Sequence, residues 1–353
     1  MYAPAVAEVT AAPFGRLHLD FMAADDDATE LGSGTEFRRA RIGLEGSIAD
    51  DWAYKAEHEF SDGDTALKDV YLGYSGWTGG EILMGQFKPG FSLEEMTSAN
   101  YITFMERALP LEAFSYSQRT GIGLRGAGTG VTYSATLFGQ ENGVDGDNED
   151  EGWGVAGRLT YAANFGASAL VHVGGAVVWE ETTTTETHAL RYRSRPEAHV
   201  TNQRLVDVTV PGANSHQKYG LEAALVMGPF SLQGEYIRVD VDTSTDTDPS
   251  FSGYYAYASW FLTGESRPFA DGKFSRVKTD GAWELAVRFS SLDLNDSGFA
   301  GGEQDDVTLG LNYYHSPNLR FMVNYVMASA DPSSAGIADE PDILQARAQV
   351  DFK

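Results

Sequence analysis

In residues 40–48 the apolar side chains Ala40, Ile42, Leu44 and Ile48 fall on one parity, and Arg39, Arg41, Gly43 and Glu45 fall on the other. Trp52, Tyr54, Ala56, His58 and Phe60 alternate in the same way with Ala53, Lys55, Glu57 and Glu59. Near the other end, Leu344, Ala346, Ala348, Val350 and Phe352 alternate with Gln345, Arg347, Gln349 and Asp351. Successive side chains of an extended chain leave opposite faces, so a period of two with one clean apolar face specifies strands rather than helices. The same reading predicts sixteen strands, near 14–22, 37–48, 52–61, 67–75, 80–87, 119–126, 130–140, 152–162, 167–180, 216–227, 229–240, 250–263, 280–292, 305–315, 318–329 and 342–352.

The connections between these strands sort by length. Short ones, at 49–51, 76–79, 127–129, 228–229 and 316–317, are rich in turn formers. Long ones are expected at 23–36, 88–118, 141–151, 181–215, 242–249, 264–279, 295–304 and 330–341. Short turns at one end and long loops at the other are the build of a transmembrane β-barrel of a bacterial outer membrane. No apolar run reaches the roughly 18 to 20 residues that a spanning helix requires. The expected fold is therefore all-β, a sixteen-stranded antiparallel transmembrane barrel with short periplasmic turns and long extracellular loops. Residues 1–13 are read as an N-terminal extension and 14–353 as one barrel domain. Trp52, Trp77, Tyr254, Tyr255, Tyr257, Trp260, Tyr313 and Tyr314 lie near strand ends, where aromatic girdles belong. The alternative for these rings is the core of a soluble sandwich.

Residues 88–118 are too long for a casual connection and carry Phe91, Leu93, Met96, Ile102, Phe104, Leu109, Leu111 and Phe114, which would be costly in water. Folding inward to narrow the lumen accounts for both features. The expectation is thus a lumen-constricting third loop, net acidic from Glu94, Glu95, Glu106 and Glu112 against Lys88 and Arg107.

Charge narrows the function. The chain has 25 Lys and Arg against 51 Asp and Glu, a net of −26, which disfavours nucleic-acid binding. Within this acidic chain, LRYRSRPEAHV holds Arg191, Arg193 and Arg195 two residues apart, so an extended backbone sends all three guanidinium groups from one face, roughly 6.6 Å between neighbours. Planar guanidinium forks suit oxyanions, and a row of them lets an anion step along without one deep well. Parity also puts Arg39 and Arg41 in the lumen, with Arg38 on the lipid side, and places Arg119 and Arg125 in the lumen beside Gly121 and Gly123. The alternative role for these cations is structural pairing with Glu45, Glu57, Glu59 and Asp69, or solvated contact with lipopolysaccharide phosphates. Asp145, Asp147 and Glu149 are spaced like the start of a calcium loop, but Asp150 and Ala156 stand where Gly and Glu are required, so no metal site is assigned. There is no cysteine, and no nucleophile elbow, phosphate-binding loop or paired-carboxylate arrangement marks an enzyme.

FRRARIGLEGSIADDWAYKAEHEFS, GQFKPGFSLEEMTSANYITFMERALP, RYRSRPEAHV and YYAYASWFLTGESRPF together resemble, in order, the phosphate-selective porin O and P family of Gram-negative outer membranes. The resemblance implies a homotrimer in outer-membrane lipid. It also implies passive diffusion of phosphate or polyphosphate past an Arg ladder toward a Lys-lined constriction. Arg191, Arg193, Arg195, Arg39 and Arg41 match the ladder stretches, and Lys88 is the only Lys of the loop segment. The few lysines and the acidic loop depart from the phosphate-selective pattern. A general or cation-preferring porin with an acidic mouth, or a plugged structural barrel, are the alternatives.

Overall fold

The computed structural model describes residues 8–61, 66–139, 152–166, 169–182, 189–245, 247–296, 298–333 and 336–353. The acidic stretch at 145–149 lies outside them. In chain order the strands are β1 (Ala12–Asp25), β2 (Gly34–Ile48), β3 (Trp52–Glu59), β4 (Ala66–Tyr74), β5 (Glu81–Phe87), β6 (Arg119–Ala127), β7 (Val131–Gly139), β8 (Trp153–Phe165), β9 (Ala169–Glu181), β10 (Ala189–Ser194), β11 (Val206–Pro211), β12 (Ala213–Met227), β13 (Phe230–Thr243), β14 (Ser250–Phe261), β15 (Phe269–Ala270), β16 (Lys273–Phe274), β17 (Ala282–Asp296), β18 (Phe299–Ser316), β19 (Leu319–Ala330) and β20 (Asp342–Phe352). Sixteen of them close into one antiparallel barrel, β1 to β9, β12 to β14 and β17 to β20, with β20 pairing back to β1. These are the sixteen strands that the alternation predicts. The remaining four form two small hairpins, β10–β11 and β15–β16.

Closure satisfies every strand edge within the sheet, which is the condition for crossing hydrocarbon with strands. The outward parity carries the apolar set: Leu44, Leu159, Val173, Leu221, Val287, Leu309 and Leu344 are all exposed on the barrel surface. Aromatic pairs mark the two rims. Trp52 and Tyr74 (4.8 Å) and Trp283 and Tyr313 (4.5 Å) lie at the turn end, and Trp153 and Trp179 (4.8 Å) at the loop end. Tyr255, Tyr257 and Tyr314, expected in these girdles, instead point inward and are buried in the lumen.

Three expectations are corrected. Residues 295–304 are not a loop, because β17 and β18 extend across them and leave only residues 297–298 between. Residues 262–281 are long but lie at the turn end, after β14 has returned from the loop end, and they fold into the lumen as the β15–β16 hairpin. Arg38 does not face lipid. The β1–β2 register shifts between His18 and Leu19, so that His18 pairs with Arg39 while Leu19 pairs with Phe37. Arg38 is the extra residue of this bulge, and both Arg38 and Arg39 turn inward.

Residues 88–118, with short helices α1 (Leu93–Met96) and α2 (Leu109–Phe114), lie inside the barrel. An irregular segment buried in this way needs partners for its carbonyls. Side chains of the barrel wall supply them: Gln349 donates to the carbonyl of Asn100 (2.9 Å), Arg320 to Ile102 (2.8 Å), Asn312 to Thr103 (2.8 Å), Arg347 to Met105 (2.5 Å), Arg288 to Glu106 (3.0 Å) and Lys218 to Phe114 (2.9 Å). The loop's apolar residues, Phe91, Leu93, Ile102, Phe104, Leu109, Leu111 and Phe114, are essentially fully buried. The loop therefore fills the half of the lumen bounded by β12 to β20.

Candidate functional site

The open half runs mainly along β1 to β7 as a cavity of about 860 Å³. Among the described residues, fourteen Lys and Arg line it against seven Asp and Glu. A chain with a net charge of −26 thus encloses a pore lining of +7.

The upper wall is built by β1 and β2. Arg16 and Arg41 are directly opposite each other in the register, an arrangement that like charges disfavour. Glu57 on β3 offsets it, accepting from Arg16 at 2.8 Å and from Arg41 at 3.4 Å, while Glu59 pairs with the other edge of Arg41. Above them Arg39 lies beside His18, whose Nε2 is 3.1 Å from the Asn100 side chain.

A second bulge repeats the device on β4. Between Ala56 and His58 the β3–β4 register shifts, leaving Lys68 and Asp69 as consecutive residues that both line the cavity. Gln86 on β5 donates to the carbonyls of Leu67 and Lys68, 2.8 Å each, and so satisfies backbone that the bulge releases. Asp69 pairs with Lys55 at 2.6 Å, whereas among the described residues the Lys68 ammonium has no ion pair.

The acids of the inner loop are neutralised where they stand. Glu106 accepts from both Nε and Nη2 of Arg38, 3.0 Å each, and is 2.7 Å from Arg347 and 3.8 Å from Arg39. Burial alone would raise its carboxyl, but these three guanidinium groups hold it well below the usual range. Glu95 is shared by Lys88 and Arg107, and Glu94 lies 3.5 Å from Arg288. Burial pushes the Lys88 ammonium down to about 8, Arg107 acting in the same direction and Glu95 against it. The expected acidity of the loop therefore does not reach the pore as free negative charge.

From the extracellular side, β10 and β11 fold over α2 and β18. Arg191 and Arg193 share the exposed face of β10, above buried Tyr192 and Ser194. Arg191 is paired with Asp207 (2.7 Å) in the hairpin and does not line the cavity; Arg195 does, with its Nη1 2.8 Å from Glu112 of α2. From the opposite end the β15–β16 hairpin packs Phe274 against Leu93, and the Gly272 carbonyl accepts from Arg158 at 2.8 Å. This hairpin brings Lys273 and Arg276 to the lining. Burial, then Arg125, Arg158 and Lys55, lower the Lys273 ammonium. Arg125 pairs with Glu81 at 2.6 Å, and Arg119 lies 5.2 Å from the centroid of the Tyr116 ring.

The residues singled out in the sequence thus divide. Arg39, Arg41, Lys88, Arg119, Arg125 and Arg195 line one cavity, while Arg191 and Arg193 lie outside it, on the exposed face of the hairpin. Arg16, Lys55, Lys68, Arg107, Lys273 and Arg276 are further lining cations that sequence reasoning did not pick out. Lys55 already had lumen parity. Lys68 was hidden by the bulge, and Lys273 and Arg276 by the assignment of residues 264–279 to the long-loop set.

The chain can be compared with known proteins on this basis. It is 33% identical over 344 residues to an uncharacterised protein of Caulobacter vibrioides, covering 91% of this chain and 69% of that one. It is 28% identical to Porin O of Pseudomonas aeruginosa, with 92% and 84% covered. An anion-selective porin from Comamonas acidovorans superposes with a TM-score of 0.65 at 14% identity, over 98% of this chain and 100% of that one. The trimer form of OmpT from Vibrio cholerae does so with a TM-score of 0.61 at 13% identity, over 98% and 99%. The model of the phosphate-selective porin O and P family matches residues 14–352, almost every strand that builds the barrel and its basic lining, and the chain belongs to that family of outer-membrane channel proteins.

Proposed function

We propose that this porin passes small inorganic anions by diffusion, with phosphate and short phosphate chains favoured, as one barrel of a homotrimer in a lipopolysaccharide-bearing outer membrane. The observation that carries the reading is the reversal of charge between molecule and pore: +7 on the lining inside a chain of −26. Exposed loop charges are screened within about 8 Å at physiological salt, so the field met by a partly dehydrated ion is that of the lining. Guanidinium groups on Arg16, Arg39 and Arg41 offer planar, multiple-donor geometry to tetrahedral oxyanions that chloride does not exploit. Lys68 and Lys273 add point charges that form no ion pair among the described residues. The family's name and the anion-selective neighbour support the same reading.

Planar-bilayer recording of the detergent-purified protein in a KCl gradient tests it. Anion-selective reversal potentials, conductance in steps of three and block of chloride current by millimolar or lower phosphate are expected. Cation selectivity, or indifference to phosphate, would overturn it.

A further inference from the structure

The lining is not uniformly polar. On the β1 to β5 wall, half-buried Tyr71 faces the cavity, and buried Phe14, Leu83 and Phe87 add their edges to form a narrow apolar strip. Glycines of the neighbouring strands create the room for it. Phe14 lies against Gly43, where a Cβ would collide with its ring, and a Cβ at Gly123 would come within 2.8 Å of the Phe87 ring. Tyr71 and Phe87 meet edge to face, 6.2 Å between centroids, and Tyr71 remains half-buried toward the lumen.

An inorganic ion has no use for such a surface. A strip of rings laid over glycines, within a cavity in the size range of organic-ligand pockets, fits a solute with an apolar body. Cations stand at its edges. The Lys55 ammonium, which also pairs with Asp69, is 5.2 Å from the centroid of Phe14, and the Arg125 guanidinium, which also pairs with Glu81, is 5.7 Å from that of Tyr71. Lys273 reaches the same cavity from the β15–β16 hairpin, without an ion pair among the described residues.

We infer that the inner half of the pore is a binding site for aromatic organic anions, in which the ring of an aryl phosphate or aryl carboxylate rests on Tyr71 and the edges of Phe14 and Phe87 while its anionic group meets Lys55, Arg125 and Lys273. The inference rests on the proposed anion path and specifies a second class of solute for it. Its energetic signature is a gain for the ring beyond that of the anionic group, roughly three- to tenfold in affinity for one aromatic contact.

The test compares block of chloride current by phenyl phosphate, methyl phosphate and inorganic phosphate in bilayers containing the full-length protein. Phenyl phosphate is expected to half-block at a concentration three- to tenfold below methyl phosphate. Tyr71→Ala is expected to bring that ratio to about one, since any change it makes through Arg125 acts on the anionic group common to both solutes and cancels in the ratio. Phe87→Leu, which keeps the packing over Gly123, is expected to reduce the ratio in part. Equal block by phenyl and methyl phosphate, or a ratio that Tyr71→Ala and Phe87→Leu both leave intact, would refute the aromatic site while phosphate block preserved the anion path. Absence of block by all three would instead remove the anion path itself and this site with it.

Discussion

The Glu106 carboxylate and the Arg38 guanidinium form a two-point pair, 3.0 Å at each contact, that joins the inner loop to the bulge of β2. Arg347 approaches the same carboxylate at 2.7 Å and Arg39 at 3.8 Å, so one negative charge is set among three positive ones. The arrangement holds the loop against the wall and also limits how basic the upper pore becomes.

Removing that carboxylate charge separates the two effects. Glu106→Gln keeps the shape and some hydrogen bonding but frees the surrounding guanidinium groups. Anion-over-cation permeability is expected to rise, read as a more anionic reversal potential in a KCl gradient. An unchanged or more cationic potential would show that Arg38 and Arg39 do not act on passing ions.

The unpaired lysines should outweigh the outermost arginine. Arg191 is more than half exposed and already paired with Asp207, where solvent screens it. Lys68 and Lys273 line the cavity and have no such partner among the described residues. Lys68→Ala and Lys273→Ala are each expected to raise the half-blocking phosphate concentration by roughly tenfold, the scale of one hydrogen bond to a charged group. Arg191→Ala should change it by less than about twofold. The opposite order, measured by phosphate titration of single-channel current, would return the ladder to β10.

Much of this site is visible in the alternation of the sequence. Parity alone puts Arg39, Arg41, Lys55 and Glu57 in the lumen, and the structure places them there. Parity fails where the ladder gains a residue. Arg38 and Lys68 each belong to a bulge that shows two consecutive side chains to the pore, and nothing in the local sequence announces a change of register. Neutralisation of the loop is invisible for a different reason: Glu106 meets Arg347, 241 residues away in the chain, through a contact that only closure of the barrel creates. The same closure separates the lumen arginines into Arg288, Arg320 and Arg347, which hold loop carbonyls, and Arg16, Arg39 and Arg41, which line the open side.

Selectivity should also depend on pH through Lys88. Its ammonium, lowered by burial to about 8, is charged below that value and neutral above it. The inner loop thus loses one positive charge as pH rises from about 7 to 9, and anion selectivity should fall over that interval. Lys88→Arg, which stays charged throughout, should flatten the dependence. A reversal potential constant from pH 6.5 to 9.5 in the native protein would place Lys88 away from the ion path.

The loop itself hangs on Glu235. Its two carboxylate oxygens accept the backbone N–H groups of Leu93 (3.0 Å) and Glu94 (2.8 Å) at the start of α1, and the Tyr255 hydroxyl donates to it at 2.5 Å. All three donors are buried, and each loses its acceptor in Glu235→Ala, at about 1 to 3 kcal/mol apiece. The barrel ladder does not pass through these bonds, so the expected response is local. The first turn of the loop detaches, Lys88 and Arg107 lose their fixed position around Glu95, and the lumen widens. Single-channel conductance should increase and become noisier while anion selectivity and phosphate block weaken. Heat-modifiable mobility on a gel, which reports the closed barrel, should change little. Glu235→Gln retains one acceptor oxygen and should fall between the two. Native conductance and phosphate block in Glu235→Ala would mean that the carbonyl contacts from Arg288, Arg320 and Arg347 suffice to hold the loop without it.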